Sequence, residues 1–126
     1  MSYAIKLLPD EPLVMVTLYE DFSLKGEFEA LSQAVRDVLD AAPMPHYLIM
    51  DVVAPSLTFE DFITAANYVV QGDDPIIKHA HIRQVILVAQ SKNLELIVKA
   101  MRAASFGSIT IKLCATMAEA LAYARA

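Results

Sequence analysis

The sequence predicts an α/β domain: a mixed, mostly parallel sheet of about five strands with covering helices, in the order ββαβαβαβα. Three observations carry this. Short apolar runs alternate with stretches whose apolar residues recur every three or four positions, so strands are joined by helical crossovers and pair largely in parallel. The two opening runs flank Pro9-Asp10-Glu11-Pro12, a turn of residues that cannot continue a ladder, so they form a hairpin with one antiparallel pairing. The middle run, Tyr47 to Val53, is nearly all apolar rather than alternating, which suits an interior strand covered on both faces.

The elements follow in order. Tyr3 to Leu8 and Leu13 to Tyr19 are the hairpin strands, the second rich in β-branched and aromatic residues. After Glu20-Asp21-Phe22-Ser23, apolar residues at Phe28, Leu31, Val35, Val38, Leu39 and Ala42 mark one buried helical stripe. Glu27, Glu29, Gln33, Arg36, Asp37 and Asp40 face water, and Pro43 and Pro45 end the helix. Thr58 is the expected N-cap of the next helix, with Glu60 and Asp61 in its first turn and Phe59, Phe62, Ile63, Ala66, Val69 and Val70 as its packing face. Gln71-Gly72-Asp73-Asp74-Pro75 stops it, and Ile76 to His81 is left as a connector. Ile82 to Ala89 is the next strand. Ser91 is the expected cap of a helix with the stripe Leu94, Ile97, Val98, Met101 and Ala104, closed near Phe106 by Gly107. Ser108 to Cys114 alternates, as a strand near a sheet edge does. Thr116 to Glu119 then reads as a capping box opening a last helix through Ala120, Leu121 and Ala124.

A chain of 126 residues fits one domain, long enough to bury a core without staples. Its single cysteine, Cys114, excludes an intramolecular disulfide, and no N-terminal leader or membrane span is visible, so a cytoplasmic protein is expected. Ten Lys and Arg against fifteen Asp and Glu give a net charge of -5, with the basic residues scattered. That pattern argues against a surface that tracks nucleic acid. A hydrophobic content of 56% and a mean hydropathy of +0.44 are high for so small a domain. Either the sheet is covered on both faces, or apolar surface is reserved for a partner, a symmetric homodimer being the commonest form of self-association.

The central segment Leu48 to Phe62 (LIMDVVAPSLTFEDF) and the final ATMAEALAYAR, taken with the element order, resemble the STAS domain superfamily, and within it the stand-alone SpoIIAA-like proteins. The resemblance covers essentially the whole chain. It implies a non-enzymatic, regulatory protein-interaction module of bacterial type, with no cofactor and no catalytic residue. In phosphorylatable members the central strand ends in an Asp, and an Asp-Ser-Ser-Gly loop opens the next helix, one Ser taking phosphate from a partner kinase. Here the strand-end acid falls on Asp51, and the loop positions fall on Phe59, Glu60, Asp61 and Phe62. Carboxylates stand where hydroxyls would be, so the resemblance carries over no phosphorylation site. The expected partner surface is the polar rim Asp51, Ser56, Thr58, Glu60 and Asp61. Ser56 has a plainer role in the turn and Thr58 at the cap. Glu60 and Asp61 either complement the helix dipole or partly imitate a phosphoserine.

The alternative reading is a carrier or sensor of a small apolar, lipid-like ligand held between helix and sheet by Met50, Phe59, Phe62 and Met101, which requires a pocket of about 300 Å³. The plainer reading of the same methionines is core filling, together with Met15, Met44 and Met117. His79 and His81, two apart, have a spacing at which imidazoles share a metal, but no third ligand lies close in sequence and no metal site is assigned. His46 and Asp51 stand at opposite ends of one strand, about 17 Å apart, and form no dyad. Asp51 sits where open α/β sheets bind ligands, or is satisfied by loop amides. Cys114 lacks an activating histidine and reads as a buried, inert thiol.

Overall fold

The computed structural model describes residues 2–8, 10–71, 75–102 and 110–126. Strands β1 (Tyr3–Leu7), β2 (Leu13–Leu18), β3 (His46–Asp51), β4 (Ile82–Val88) and β5 (Ile111–Cys114) form one sheet. Its spatial order, β1-β2-β3-β4-β5, repeats the chain order. β1 and β2 pair antiparallel, and the remaining neighbours pair in parallel. This is the mixed, mostly parallel sheet the sequence predicts, with His46–Asp51 in its centre.

Topology dictates where the helices go. Parallel strands that march in one direction need crossovers of the same hand, and those crossovers lie on the same face. Helices α1 (Leu24–Ala41), α2 (Phe59–Val69) and α3 (Asn93–Met101) are these crossovers. Their buried residues Leu31, Val35, Leu39, Ala66, Leu94, Ile97, Val98 and Met101 join Val14, Val16, Leu48 and Val85 of the sheet in one core. Helix α4 (Met117–Arg125) lies under the other face. There Ala120 meets Leu13, Ile49, Ile86, Val88 and Cys114 in a second, smaller core. Adjacent residues of β3, Leu48 and Ile49, point into different cores, which is why the central run is continuously apolar. Burying each of the fully enclosed Leu13, Leu31, Leu39, Ile49, Ile86 and Leu94 contributes about 1.5–3 kcal/mol.

Local chemistry sets most boundaries where expected. In the hairpin turn Asp10 takes φ 65°, a left-handed position that Asp adopts more readily than most residues other than glycine. α1 ends at Ala42, whose extended backbone precedes Pro43. Thr58 caps α2 and Thr116 caps α4. At α4 the reciprocal half of the box is displaced: Glu119 accepts from the N–H of Ala115, one residue before the cap.

Several expectations need correction. Ser91 is not the cap of α3; Lys92 is, in a helical conformation without a side-chain bond, and the first N–H groups of the helix reach back to the carbonyls of Ser91 and Lys92. Phe59 and Ile63, assigned to the packing face of α2, are 41% and 40% exposed. The six-residue stripe is wider than the face α2 buries, so its outer edge stays in water. Met44, placed with the core methionines, is exposed in the loop after α1. Glu27 does not simply face water; its carboxylate accepts from the Ser2 hydroxyl and from the Ser23 N–H. These bonds hold its pKa below the ordinary value of 4.5. The connector contains a short 3₁₀ turn at Ile76–Lys78. The expectations for Pro9, Gly72, Asp73, Asp74, Ala104, Phe106, Gly107, Ser108 and Ile109 lie outside the described residues.

Candidate functional site

The rim at the carboxyl end of β3 is built by two side-chain turns. Asp51 ends the strand, and its Oδ1 accepts from the Val53 N–H at 3.1 Å, turning the chain away from the sheet. Val52 still donates to the Val88 carbonyl of β4. The loop crosses buried Pro55 and exposed Ser56 to Thr58, whose extended backbone sets up α2. Thr58 Oγ1 accepts from the Asp61 N–H at 3.1 Å, and Asp61 Oδ2 accepts from the Thr58 N–H at 2.9 Å. This is a complete capping box with Asp in place of the usual Glu.

The five rim residues therefore divide. Asp51, Thr58 and Asp61 hold backbone N–H groups, and Ser56 and Glu60 are exposed. Beside them stand Val53, Phe59 and Ile63, each exposed by two fifths or more. The rim is an acidic edge with apolar side chains in water next to it, and a helix N-terminus already closed by its own residues. The exposure of Phe59 and Ile63 is the feature sequence reasoning missed; the over-wide stripe on α2 was its signal.

Between the sheet and α1, α2 and α3 lies a cavity of about 150 Å³, almost wholly apolar. Met50, Phe62 and Met101 line it, with Leu31, Ala66 and Leu94. Phe59 does not; it points outward at the rim. A volume near this size, walled by aliphatic and aromatic groups, suits a benzene-sized guest, and is about half the pocket a lipid-like ligand was expected to need.

The histidines are occupied elsewhere. His81 donates from Nδ1 to the Leu39 carbonyl at 2.7 Å, and His79 Nε2 meets Asp40 Oδ1 at 2.6 Å. His79 Nδ1 accepts from the His81 N–H, which leaves its Nε2 as the donor to Asp40. The two rings, 5.6 Å apart, clasp the last turn of α1, which has no basic residue of its own. They tie the connector before β4 to that helix end. His46 is buried and bonds the Met44 carbonyl through Nδ1, at the opposite end of β3 from Asp51. Among the described residues no three His, Cys, Asp or Glu side chains converge as metal ligands. Cys114 is buried against α4, and burial pushes its thiol pKa up, away from nucleophilic form.

The chain matches no protein-family model and no curated protein. Solved structures do match. An uncharacterized protein of the DUF3478 family with a SpoIIAA-like fold, from Shewanella loihica PV-4, aligns over 97% of this chain and 91% of its own at a TM-score of 0.59 and 12% identity. An anti-sigma factor antagonist from Mycobacterium paratuberculosis aligns over 99% of this chain and 96% of its own at a TM-score of 0.53 and 19% identity. The chain has a SpoIIAA-like fold. Among the described residues no helix is long and apolar enough to cross a membrane.

Proposed function

We propose that the protein is a non-enzymatic regulatory module, one STAS-like domain working in the cytoplasm by protein contact at the carboxyl end of β3, without a phosphorylatable serine. The observation that carries this reading is the closed capping box of Thr58 and Asp61 beside exposed Val53, Phe59 and Ile63. In the phosphorylatable proteins that the sequence resembles, an Asp-Ser-Ser-Gly loop opens this helix, and Phe59, Glu60, Asp61 and Phe62 stand in its place here. Here the hydroxyl and the carboxylate are engaged with backbone N–H groups, and the charge at the helix start is permanent. Apolar side chains held in water next to a charged edge are the composition of a contact surface. The likeness to an anti-sigma factor antagonist supports a protein as the partner. The test is affinity capture from native lysate with the wild type and with a Phe59→Ala, Glu60→Lys variant. A stoichiometric protein retained by the first and lost by the second is the expected result. No stoichiometric partner, equal recovery by both, or stoichiometric phosphorylation at Ser56 or Thr58 would overturn the reading.

The cavity favours a second reading, a sensor or carrier of a small apolar molecule. Its volume of about 150 Å³ sets the guest at benzene size unless α2 shifts outward. Native mass spectrometry of freshly purified protein tests it, a retained apolar mass supporting the reading and bare protein opposing it. The same spectrum reports whether the chain is a dimer.

A further inference from the structure

The amino end of the sheet, opposite the acidic rim, carries a second constructed surface. β3 and β4 pair residue for residue from Tyr47↔Gln84 onward, but His46 pairs with Ile82, so Arg83 is an extra residue in a bulge. Bulges are rare between parallel strands, and where they occur they re-aim a side chain. This one sets the Arg83 guanidinium over the Tyr47 ring, 5.0 Å from its centroid. Tyr47 meets Tyr123 of α4 edge to face at 6.4 Å, and Lys112 of β5 lies over Tyr123 at 5.2 Å. Tyr123 is held in turn by its hydroxyl, which donates to Gln84 at 2.8 Å. The result is a continuous ladder, cation, ring, ring, cation, drawn from β3, β4, β5 and α4.

Its electrostatics single it out. Arg125, in the last turn of α4, is committed to Glu11 through two hydrogen bonds of 2.7 and 3.0 Å. Among the described residues neither Arg83 nor Lys112 has a carboxylate within ion-pair distance, and both are exposed. In a chain of net charge -5, two cations are thus held over aromatic rings and, among the described residues, not in an ion pair. Cation–π contact restrains the charge without neutralising it, so the planar fork of Arg83 remains available for bidentate carboxylate pairing.

We propose that this ladder is a docking surface for an acidic segment of a partner protein. Charge complementarity selects that occupant. The two cations are supplied by separate strands and flanked by rings whose faces they already cover, so they offer neither the long phosphate track nor the open stacking platforms that nucleic acid requires. The surface is remote from the rim of the preceding section, and the inference does not rest on that reading.

The test is a titration of isotope-labelled protein followed by NMR, with hexaglutamate, a single-stranded oligonucleotide and the protein's own concentration as three separate variables. Hexaglutamate is expected to shift Tyr47, Arg83, Gln84, Lys112 and Tyr123 saturably. The Arg83→Glu, Lys112→Glu variant, with spectral dispersion confirming its fold, should bind about tenfold more weakly or less. If that variant fails to fold, Arg83→Gln and Lys112→Gln singly make the same comparison. Absence of shifts at the ladder, shifts that survive charge removal, or a response to oligonucleotide or protein concentration but not to hexaglutamate would overturn the proposal.

Discussion

The two faces of the sheet are packed by different means. On one face three crossover helices meet the strands and each other, and a cavity of about 150 Å³ remains where they converge. On the other a single helix lays Ala120 directly onto Ile49 and Ile86, and all three are fully enclosed. Several large elements wedged together share their misfits, whereas one helix with a small residue at its centre sits flush. The face with room is also the one whose helix α2 borders the candidate partner rim.

The comparison is broken most severely at Ile49. Ile49→Ala is expected to cost about 3–4 kcal/mol in denaturant unfolding, because the tight face has little freedom to collapse; a loss below about 1.5 kcal/mol would show that face to be loosely packed. Enlarging alanines sharpens it. Ala120→Leu on the tight face should destabilise by about 1–3 kcal/mol through overpacking. Ala66→Leu, which projects into the cavity, should be neutral or stabilising by up to about 1 kcal/mol. Equal losses at the two positions would remove the distinction.

Smaller effects test the edges of the roomy face. Thr58→Ala removes the cap of α2 and should cost about 1 kcal/mol, with Thr58→Ser restoring most of it. Glu27 supplies a pH signature. Its folded pKa is depressed, chiefly by the Ser2 hydroxyl and then by the Ser23 N–H, so its contribution is complete above the ordinary value of 4.5 and is lost as pH falls through the lower folded value. Acid unfolding of Glu27→Gln should therefore show a shallower dependence on pH in that window than the wild type, the difference vanishing near neutrality apart from a constant offset.

Much of this was legible in the sequence because it depends on periodicity. The continuous run from Tyr47 announced a strand covered on both sides, and Pro9 to Pro12 announced the hairpin. The buried stripes of α1 and α3 followed from spacing alone. At the rim, Thr58 was readable as a cap because a threonine there precedes two acids and an apolar stripe, but the reciprocal bond to Asp61 was not read. What escaped depends on approach between distant segments. No local pattern brings His79 and His81 to the end of α1, 42 residues from His81 to Leu39 along the chain. Nor does any announce that an added residue at Arg83 will aim a guanidinium at Tyr47. The exposure of Phe59 and Ile63 lay between these cases. The apolar residues were visible, but which of them the neighbouring helices would cover was decided by packing.

Spatial order that repeats chain order bears on how the molecule is made. As the polypeptide leaves the ribosome, the hairpin of β1 and β2 is the first pairing whose two members are both available, and it offers β3 a ready template. Each later strand then finds its neighbour already synthesised, so assembly has no need to wait for a distant partner or to insert a strand between two others.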